Sequence, residues 1–356
     1  MKRGMLRKLL CTCVVTAAAF AATTISASAC TTIYVGGDLN EEGTPFVART
    51  EDYGSDYNKL WFISESGNWK QGDHYVGCPA YGPFEWDFTH DSYRFTYFTN
   101  DIYYDGTCPE CGKKADHYSY TEFGTNEKGV SVSATETLHG NAKVTEVDPY
   151  RDADWSKENG NARIGIEETD IPTIILAEAS SAREGVELLL DIYENYGCVY
   201  ASGVFICDKD EVWYIENCSG TQYVAIKLND NMIFLEPNMA VIGRVDLDDE
   251  NVIASKDLIA VAKKAGTFVG DEEKNIIDFR ASYARISEKM DQRMIDGLNY
   301  LNAAYKYDSD ALVADNTKFT ISNLDANDKL VALYTNIKAD RKLDKDDIFG
   351  YYKLSS

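Results

Sequence analysis

The chain has 356 residues, a formal net charge of −23, nine cysteines and four histidines. So acidic a balance speaks against nucleic acid and anionic lipid as partners, since both carry the same sign of charge. Beyond the first thirty residues no stretch has the length and apolarity to span a membrane, and no internal repeat or low-complexity segment is visible.

The N-terminus reads first. Lys2, Arg3, Arg7 and Lys8 precede the apolar run Leu9 to Ala22, and Ala27-Ser28-Ala29 follows. A basic region, an apolar region and a small-residue cleavage site are the parts of a secretory signal. Residues 1–29 are read as that signal, and residues 30–356 as one mature domain, secreted or held in the extracytoplasmic envelope. An uncleaved membrane anchor is the weaker reading, because Thr12, Thr16, Thr23 and Thr24 dilute the run. Loss of four positive charges with the signal takes the net charge from −23 to −27. Cys11 and Cys13 leave with it, and Cys30, Cys78, Cys108, Cys111, Cys198, Cys207 and Cys218 remain. Seven is odd, which in an oxidising compartment asks for a free reactive thiol; the other six can pair if Cys30 is held back.

Short runs rich in β-branched and aromatic residues then predict strands at Thr31–Val35, Pro45–Ala48, Tyr93–Thr99 and Val130–Ala134. Residues 139–170, charged and poor in aliphatics, read as a long surface excursion. Ser181 and Glu184 predict a capped helix with Val186, Leu189, Leu190 and Tyr193 on one face, and Gly197 stands at its C-terminal cap. Val199–Ile206, Val212–Ile215, Tyr223–Leu228 and Met232–Leu235 follow at short intervals as an antiparallel meander. Helical stretches are predicted at Ser255–Lys264 and over roughly Ile276 to Ala303. The order is α+β, with helices covering stacked sheets.

Cleavage after Ala29 would make Cys30 the first mature residue, with a thiol nucleophile and a free α-amine on one residue. That amine has an ordinary pKa of about 7.7–8.0 and can take the thiol proton near neutrality. Such a nucleophile needs no histidine, and none of His74, His90, His117 and His139 lies in a recognisable Cys/His signature. A second reading comes from another class of protein: small residues before a cysteine also describe a lipoprotein site, where the thiol is lipidated and the amine blocked. Ala27 stands where such sites more often carry leucine. On the local string alone both readings stay open.

The sequence "CTTIYVGGDLNEEGTPFVARTEDYG", Cys30 to Gly54, resembles the start of the dipeptidase A family of N-terminal-nucleophile (Ntn) hydrolases, with Cys30-Thr31-Thr32 and then Ala48, Arg49, Glu51 and Asp52. The blocks Asn126–Thr137, Ser180–Gly197, Glu211–Gly220 and Asn238–Asp249 continue the resemblance in order. The related bile-salt hydrolase and penicillin V acylase group shares the order Cys, then Arg-x-x-Asp. The resemblance implies a four-layer αββα sandwich and a dipeptidase that hydrolyses small peptides, with Cys30 as nucleophile. It also implies that Arg49 favours the thiolate, Asp52 orients the α-ammonium and Asn238 donates to the oxyanion. Where the bile-salt group usually carries a second asparagine, this chain has Glu136. A carboxylate cannot donate unless protonated, so Thr135 or Glu136 is assigned to the substrate, and a peptidase is favoured over a bile-salt or penicillin enzyme. A further basic residue is expected at Arg280 or Arg285.

The reaction expected is amide hydrolysis through a thioester, with no metal or organic cofactor. The alternatives are an Ntn acylase of other linear amides, of N-acyl amino acid, bile-salt or penicillin type, and a lipid-anchored binding protein without activity. Stable membrane association is expected only if Cys30 is lipidated. Cys108-x-x-Cys111 resembles half of a zinc ribbon, but no second pair exists to complete four ligands, so the stretch Thr107–His117 reads as an insertion that staples a loop. The family resemblance fades toward Ser356. If strands are missing there, an exposed sheet edge would invite misfolding or dimerisation to a homo-oligomer.

Overall fold

Thr31–Val35 joins β-branched residues and a tyrosine without a polar break, and it forms strand β1 with all five residues buried. The computed structural model describes residues 30–51, 59–77, 84–100, 121–135, 138–160, 164–286, 291–304, 306 and 339–355. The strands that follow are β2 (Phe46–Thr50), β3 (Lys59–Ser64), β4 (His74–Val76), β5 (Glu85–Asp87), β6 (Phe95–Asn100), β7 (Phe123–Asn126) and β8 (Ser131–Thr135). Four helices come next: α1 (Ala142–Val147), α2 (Ala153–Asn159), α3 (Ile171–Glu178) and α4 (Ala182–Asn195). Then come β9 (Ser202–Cys207), β10 (Val212–Asn217), β11 (Tyr223–Lys227), β12 (Ile233–Glu236), β13 (Arg244–Asp246) and β14 (Val252–Ala254). The chain closes with α5 (Leu258–Ala265), β15 (Gly270–Asp271), β16 (Ile276–Asp278), α6 (Phe279–Tyr283), α7 (Gln292–Leu301) and α8 (Lys345–Ser355).

Two sheets organise the molecule. An eight-stranded antiparallel sheet runs β14-β11-β10-β9-β8-β7-β6-β3, and a three-stranded sheet runs β12-β1-β2. Period-two alternation gives the large sheet two faces. Val204, Ile206, Trp213 and Ile215 face α3 and α4, in one apolar cluster with Ile174, Leu176, Val186 and Leu189. Phe205, Val212, Tyr214, Val224 and Ile226 belong to a second cluster with β1 and β12 of the small sheet, and with Met294, Ile295 and Leu298 of α7 and Tyr351 of α8. Gly297 lets α7 approach β12 closely: a Cβ there would lie 2.1 Å from Leu235 Cδ1, so that side chain would have to shift.

Ser181 caps α4 as predicted, its hydroxyl accepting from Glu184 N–H at 3.2 Å, and Gly197 follows the helix at φ +77°. Glu184 reaches back to the backbone N–H of Ser180, one residue earlier than a standard capping box. Three expectations need correction. The meander holds for β9-β10-β11, but β12 leaves the large sheet and pairs with β1. That transfer ends the strand before Asn238 beside the strand that starts after Cys30. The single helix expected over Ile276 to Ala303 is divided into β16, α6 and α7. Its apolar periodicity continues across Asp278 and Asp291, which cap α6 and α7 and so mark new starts. Residues 139–170 are not all surface: Ile166 to Asp170 are buried, and Asp170 accepts from the Tyr75 hydroxyl at 2.6 Å.

Candidate active site

Antiparallel pairing of β1 with β2 sets Thr32 opposite Arg49 and thus brings the arginine to the Cys30 end of the strand. One guanidinium nitrogen of Arg49 lies 3.2 Å from Cys30 Sγ and 2.6 Å from Glu51 Oε2. The other donates to the carbonyl of Glu122 and the hydroxyl of Ser133, each at 3.2 Å, and to the carbonyl of Ala134. Backbone acceptors of the large sheet therefore hold the guanidinium in place. Burial would lower the pKa of Arg49, but the adjoining Cys30, Glu51 and Glu168 outweigh this and push it up.

Glu51 completes the contact, with Oε2 3.4 Å from Cys30 Sγ. Burial raises its pKa, yet Arg49 and then Glu122 and Lys59 hold it below the usual carboxylate value, so it is an anion. Lys59 Nζ stands 3.3 Å from Glu51 Oε1 and closer, at 2.6 and 2.8 Å, to the two oxygens of Glu122. Glu122 is pushed up to about 7, first by burial and then by the charge of Glu51.

Arg293, in the first turn of α7, approaches from the other side. It donates to the carbonyl oxygen of Cys30 at 2.7 Å, to Thr31 Oγ1 at 3.1 Å, to Asn238 Oδ1 at 2.9 Å and to the carbonyl of Pro237 at 2.8 Å. Asp291 accepts from the same guanidinium at 3.0 Å. Asn238 sits in the left-handed region at φ +57°, which asparagine tolerates better than most residues. With Oδ1 engaged by Arg293, the amide nitrogen is the end of that side chain that can donate to another group.

The structure thus brings together Cys30, Arg49 and Asn238. Thr135 is the last residue of β8, its backbone paired with Gly203, next to the Ala134 carbonyl that takes Arg49. Asp52 and Glu136 lie outside the described residues. Neither Arg280 nor Arg285 is the basic residue at the site. Arg280 is buried near the charge of Glu216, and Arg285 lines a separate cavity with His139 and Tyr200. Arg293 takes that place, 55 positions beyond Asn238, where no motif marks it. Glu51 was visible as part of the Ala-Arg-x-Glu-Asp string. Lys59 and Glu122 had no sequence signal, because only the pairing of β3, β6 and β7 with the rest of the sheet brings them close.

Cys198, Cys207 and Cys218 are free thiols, so pairing of the six remaining cysteines does not hold for these three. Burial raises the pKa of all three, that of Cys207 to about 11, which keeps them protonated and unreactive. Cys78 and the stretch Thr107–His117 lie outside the described residues. Among the described residues no cluster of three or more His, Cys, Asp or Glu side chains is arranged to hold a metal ion.

A cavity of about 450 Å³ opens beside this cluster, walled by Arg49, Glu51, Lys59 and Glu122 and by the rings of Phe98, Phe123 and Phe205. It is of the size and mixed polarity of small-molecule sites.

The family model for peptidase family C69 matches residues 29–332. The chain belongs to peptidase family C69. It is 34% identical over 241 residues to a probable dipeptidase B of Streptococcus pyogenes serotype M3, covering 67% of this chain and 43% of that protein. It is 30% identical over 262 residues to a probable dipeptidase of Salmonella dublin, covering 72% and 53%. The C69 chain therefore spans about half the length of these curated relatives. Among solved structures, the penicillin V acylase from Agrobacterium tumefaciens aligns over 56% of this chain and 49% of that one, with 15% identity and a TM-score of 0.34. A mutant of the conjugated bile acid hydrolase from Clostridium perfringens aligns over 68% and 59%, with 13% identity and a TM-score of 0.26.

Proposed function

We propose that this C69 chain is a secreted cysteine dipeptidase in which Cys30, freed at its N-terminus by cleavage after Ala29, is the nucleophile and its own α-amine the base. The observation that carries this reading is the convergence on one residue of an arginine 3.2 Å from its sulfur and a second arginine that holds both its carbonyl oxygen and Asn238. A positive charge at that distance favours thiolate over thiol. The layer order α3/α4, large sheet, small sheet, α7/α8 supports the four-layer αββα sandwich of the Ntn hydrolases.

In the proposed reaction the α-amine takes the thiol proton and the sulfur attacks the carbonyl carbon of the scissile bond. The carbonyl oxygen becomes an oxyanion, and the Asn238 amide donates to it. Collapse of the tetrahedral intermediate breaks the carbon–nitrogen bond as the α-ammonium returns its proton to the leaving amine. Water, deprotonated by the same amine, then attacks the thioester and releases the acid and the thiol. Asp52 is assigned to orient the amine. Thr135 and Glu136 are assigned to the substrate.

The test is intact mass with N-terminal fragmentation of the protein from a secreting host, followed by assay of a dipeptide panel against N-acyl amide substrates. A chain beginning at unmodified Cys30 that cleaves dipeptides supports the reading. A lipidated Cys30, or a retained Ala29, removes the base and ends it. Cleavage of acyl amides alone would move the chain to the acylases.

A further inference from the structure

The charged cluster around Cys30 carries groups that the proposed chemistry does not use, and Glu51 is the one that touches the sulfur. Glu51 is an anion whose Oε2 lies 3.4 Å from the nucleophilic sulfur, and its side chain is 21% exposed. Arg49 and the thiol meet at Oε2, while Lys59 at 3.3 Å and the carboxyl group of Glu122 engage the other side of the carboxylate. Glu51 also forms part of the wall of the 450 Å³ cavity, together with Arg49, whose buried Nε has no hydrogen-bond partner among the described residues.

Peptide geometry says what such a carboxylate would meet. In a peptide with a free N-terminus, the α-nitrogen and the first carbonyl carbon are separated by one Cα, a distance of about 2.5 Å. When that carbon sits against the Cys30 sulfur, the ammonium must lie within a few ångströms of it, and among the described residues Glu51 is a carboxylate in contact with that sulfur. The side chain of the same residue leaves the Cα between these two points. The cavity next to Glu51 offers it the rings of Phe98 and Phe123, stacked at 4.8 Å, and that of Phe205. Resting on the cysteine-peptidase reading of the site, we propose that Glu51 receives the substrate α-ammonium and that the adjoining cavity takes the first side chain. The enzyme then selects peptides with a free N-terminus and a large apolar or aromatic first residue. N-blocked amides bring no cation to Glu51 and leave it facing an apolar acyl group.

The experiment compares Phe-Ala, N-acetyl-Phe-Ala and Ala-Ala as substrates of the mature protein, of Glu51→Gln and of Phe123→Ala, reading release of free alanine. For the unmodified enzyme, kcat/KM is expected to be about 100-fold or more higher on Phe-Ala than on its N-acetyl form, and roughly 10-fold higher than on Ala-Ala. Glu51→Gln should shrink the first ratio to about 10 or less, through KM on Phe-Ala, and Phe123→Ala should shrink the second. Equal activity of the unmodified enzyme on free and acetylated substrates overturns the proposal and leaves the peptidase reading intact. So does a free-to-acetylated ratio that survives Glu51→Gln, since a group serving only Arg49 and the thiol would lower both substrates alike. If Glu51→Gln does not fold, the wild-type ratio and the Phe123→Ala ratio still decide. Turnover of none of the three peptides by untreated protein, when a separate aliquot shows that Cys30 reacts with iodoacetamide, fells the peptidase reading itself and this proposal with it.

Discussion

Along β10, Trp213 and Ile215 turn toward α4, where Arg183 stacks on the indole at 4.2 Å, while Tyr214 and Glu216 turn toward the small sheet. The same alternation runs through β8: Val132 and Ala134 join the helix-side cluster, and Ser133 takes Arg49 on the other face. One set of strands thus presents a dry aliphatic face and a face that carries hydroxyls, buried carboxylates and the Cys30 cluster. Dispersion and burial hold the first face together and lose little if its chemistry is dull. The second gives up part of that burial to hold charges in fixed positions. Substitutions on the two faces should therefore fail in different ways.

The sharpest contrast comes from Cys30→Ala. It removes the proposed nucleophile from a half-buried position on the polar side, and kcat/KM for dipeptides should fall by about 10⁴ or more. The thermal midpoint should stay within a degree or two of the parent, because a surface-edge truncation outside the core rarely costs more than about 0.5 kcal/mol. Retained activity would mean that another group attacks the substrate.

Leu189→Ala is the converse. Leu189 is fully buried under the dry face, and its truncation should cost about 2–5 kcal/mol of stability. Denaturant titration would show this as a lower midpoint at an unchanged slope, while kcat and KM of the folded fraction remain those of the parent. A change in KM would break the comparison, since it would show that packing on the helix side reaches the site through the sheet.

Arg293→Lys tests the polar face at its second arginine. A lysine keeps the charge but cannot bond the Cys30 carbonyl, Asn238 and Pro237 together in one planar fork. If Arg293 positions Asn238 for the oxyanion, kcat should drop by roughly 10- to 100-fold with KM little changed. An equal rise in KM with kcat preserved would assign Arg293 to ground-state binding instead.

These two faces were unequally legible in the sequence. The dry one was read where a period was clean, as in α4 and β9 to β11. It was missed at α3, whose eight residues are all buried and so show no amphipathic stripe. On the polar face, Cys30, Arg49 and Asn238 stood out because the chemistry of an N-terminal thiol and the family string point to them. Arg293, Lys59 and Glu122 did not, since each reaches the site through tertiary pairing of distant elements. The choice of Arg280 or Arg285 failed for the same reason: a residue just beyond the meander in sequence is carried away by β16 and α6, and the next helix returns.

The smallest effect expected lies deepest in the polar face. Glu236 pairs with Thr32 in the small sheet, and Thr32 also pairs with Arg49, so the three side chains share the face turned to the large sheet. Glu236 is fully buried, and among the described residues neither carboxyl oxygen has a hydrogen bond of standard geometry, the backbone N–H of Asn238 being a marginal donor to the group. Glu216, equally buried, differs in accepting from the Tyr214 hydroxyl and the backbone N–H groups of Val241 and Ile242. Burial, and then the charge of Glu216, push Glu236 up to about 8, against the opposing pull of Arg293 and Arg49. A carboxyl whose folded pKa stands above its unfolded value of 4.5 holds its proton more tightly in the native state. Its contribution to stability is then complete below pH 4.5 and is lost as pH rises through 8. Glu236→Gln cannot ionise, so it should match the parent near pH 5 and exceed it near pH 9, each pH unit by which the pKa is raised being worth about 1.4 kcal/mol. Glu216, pushed up to about 7, stays in the variant and should keep a residual slope of the same sign ending one unit lower. Urea titrations of both proteins at pH 5 and pH 9 measure the difference. Identical pH dependence in the two would show that Glu236 is not ionising within the sheet interior, and the cost assigned to the polar face would then rest on Glu216 alone.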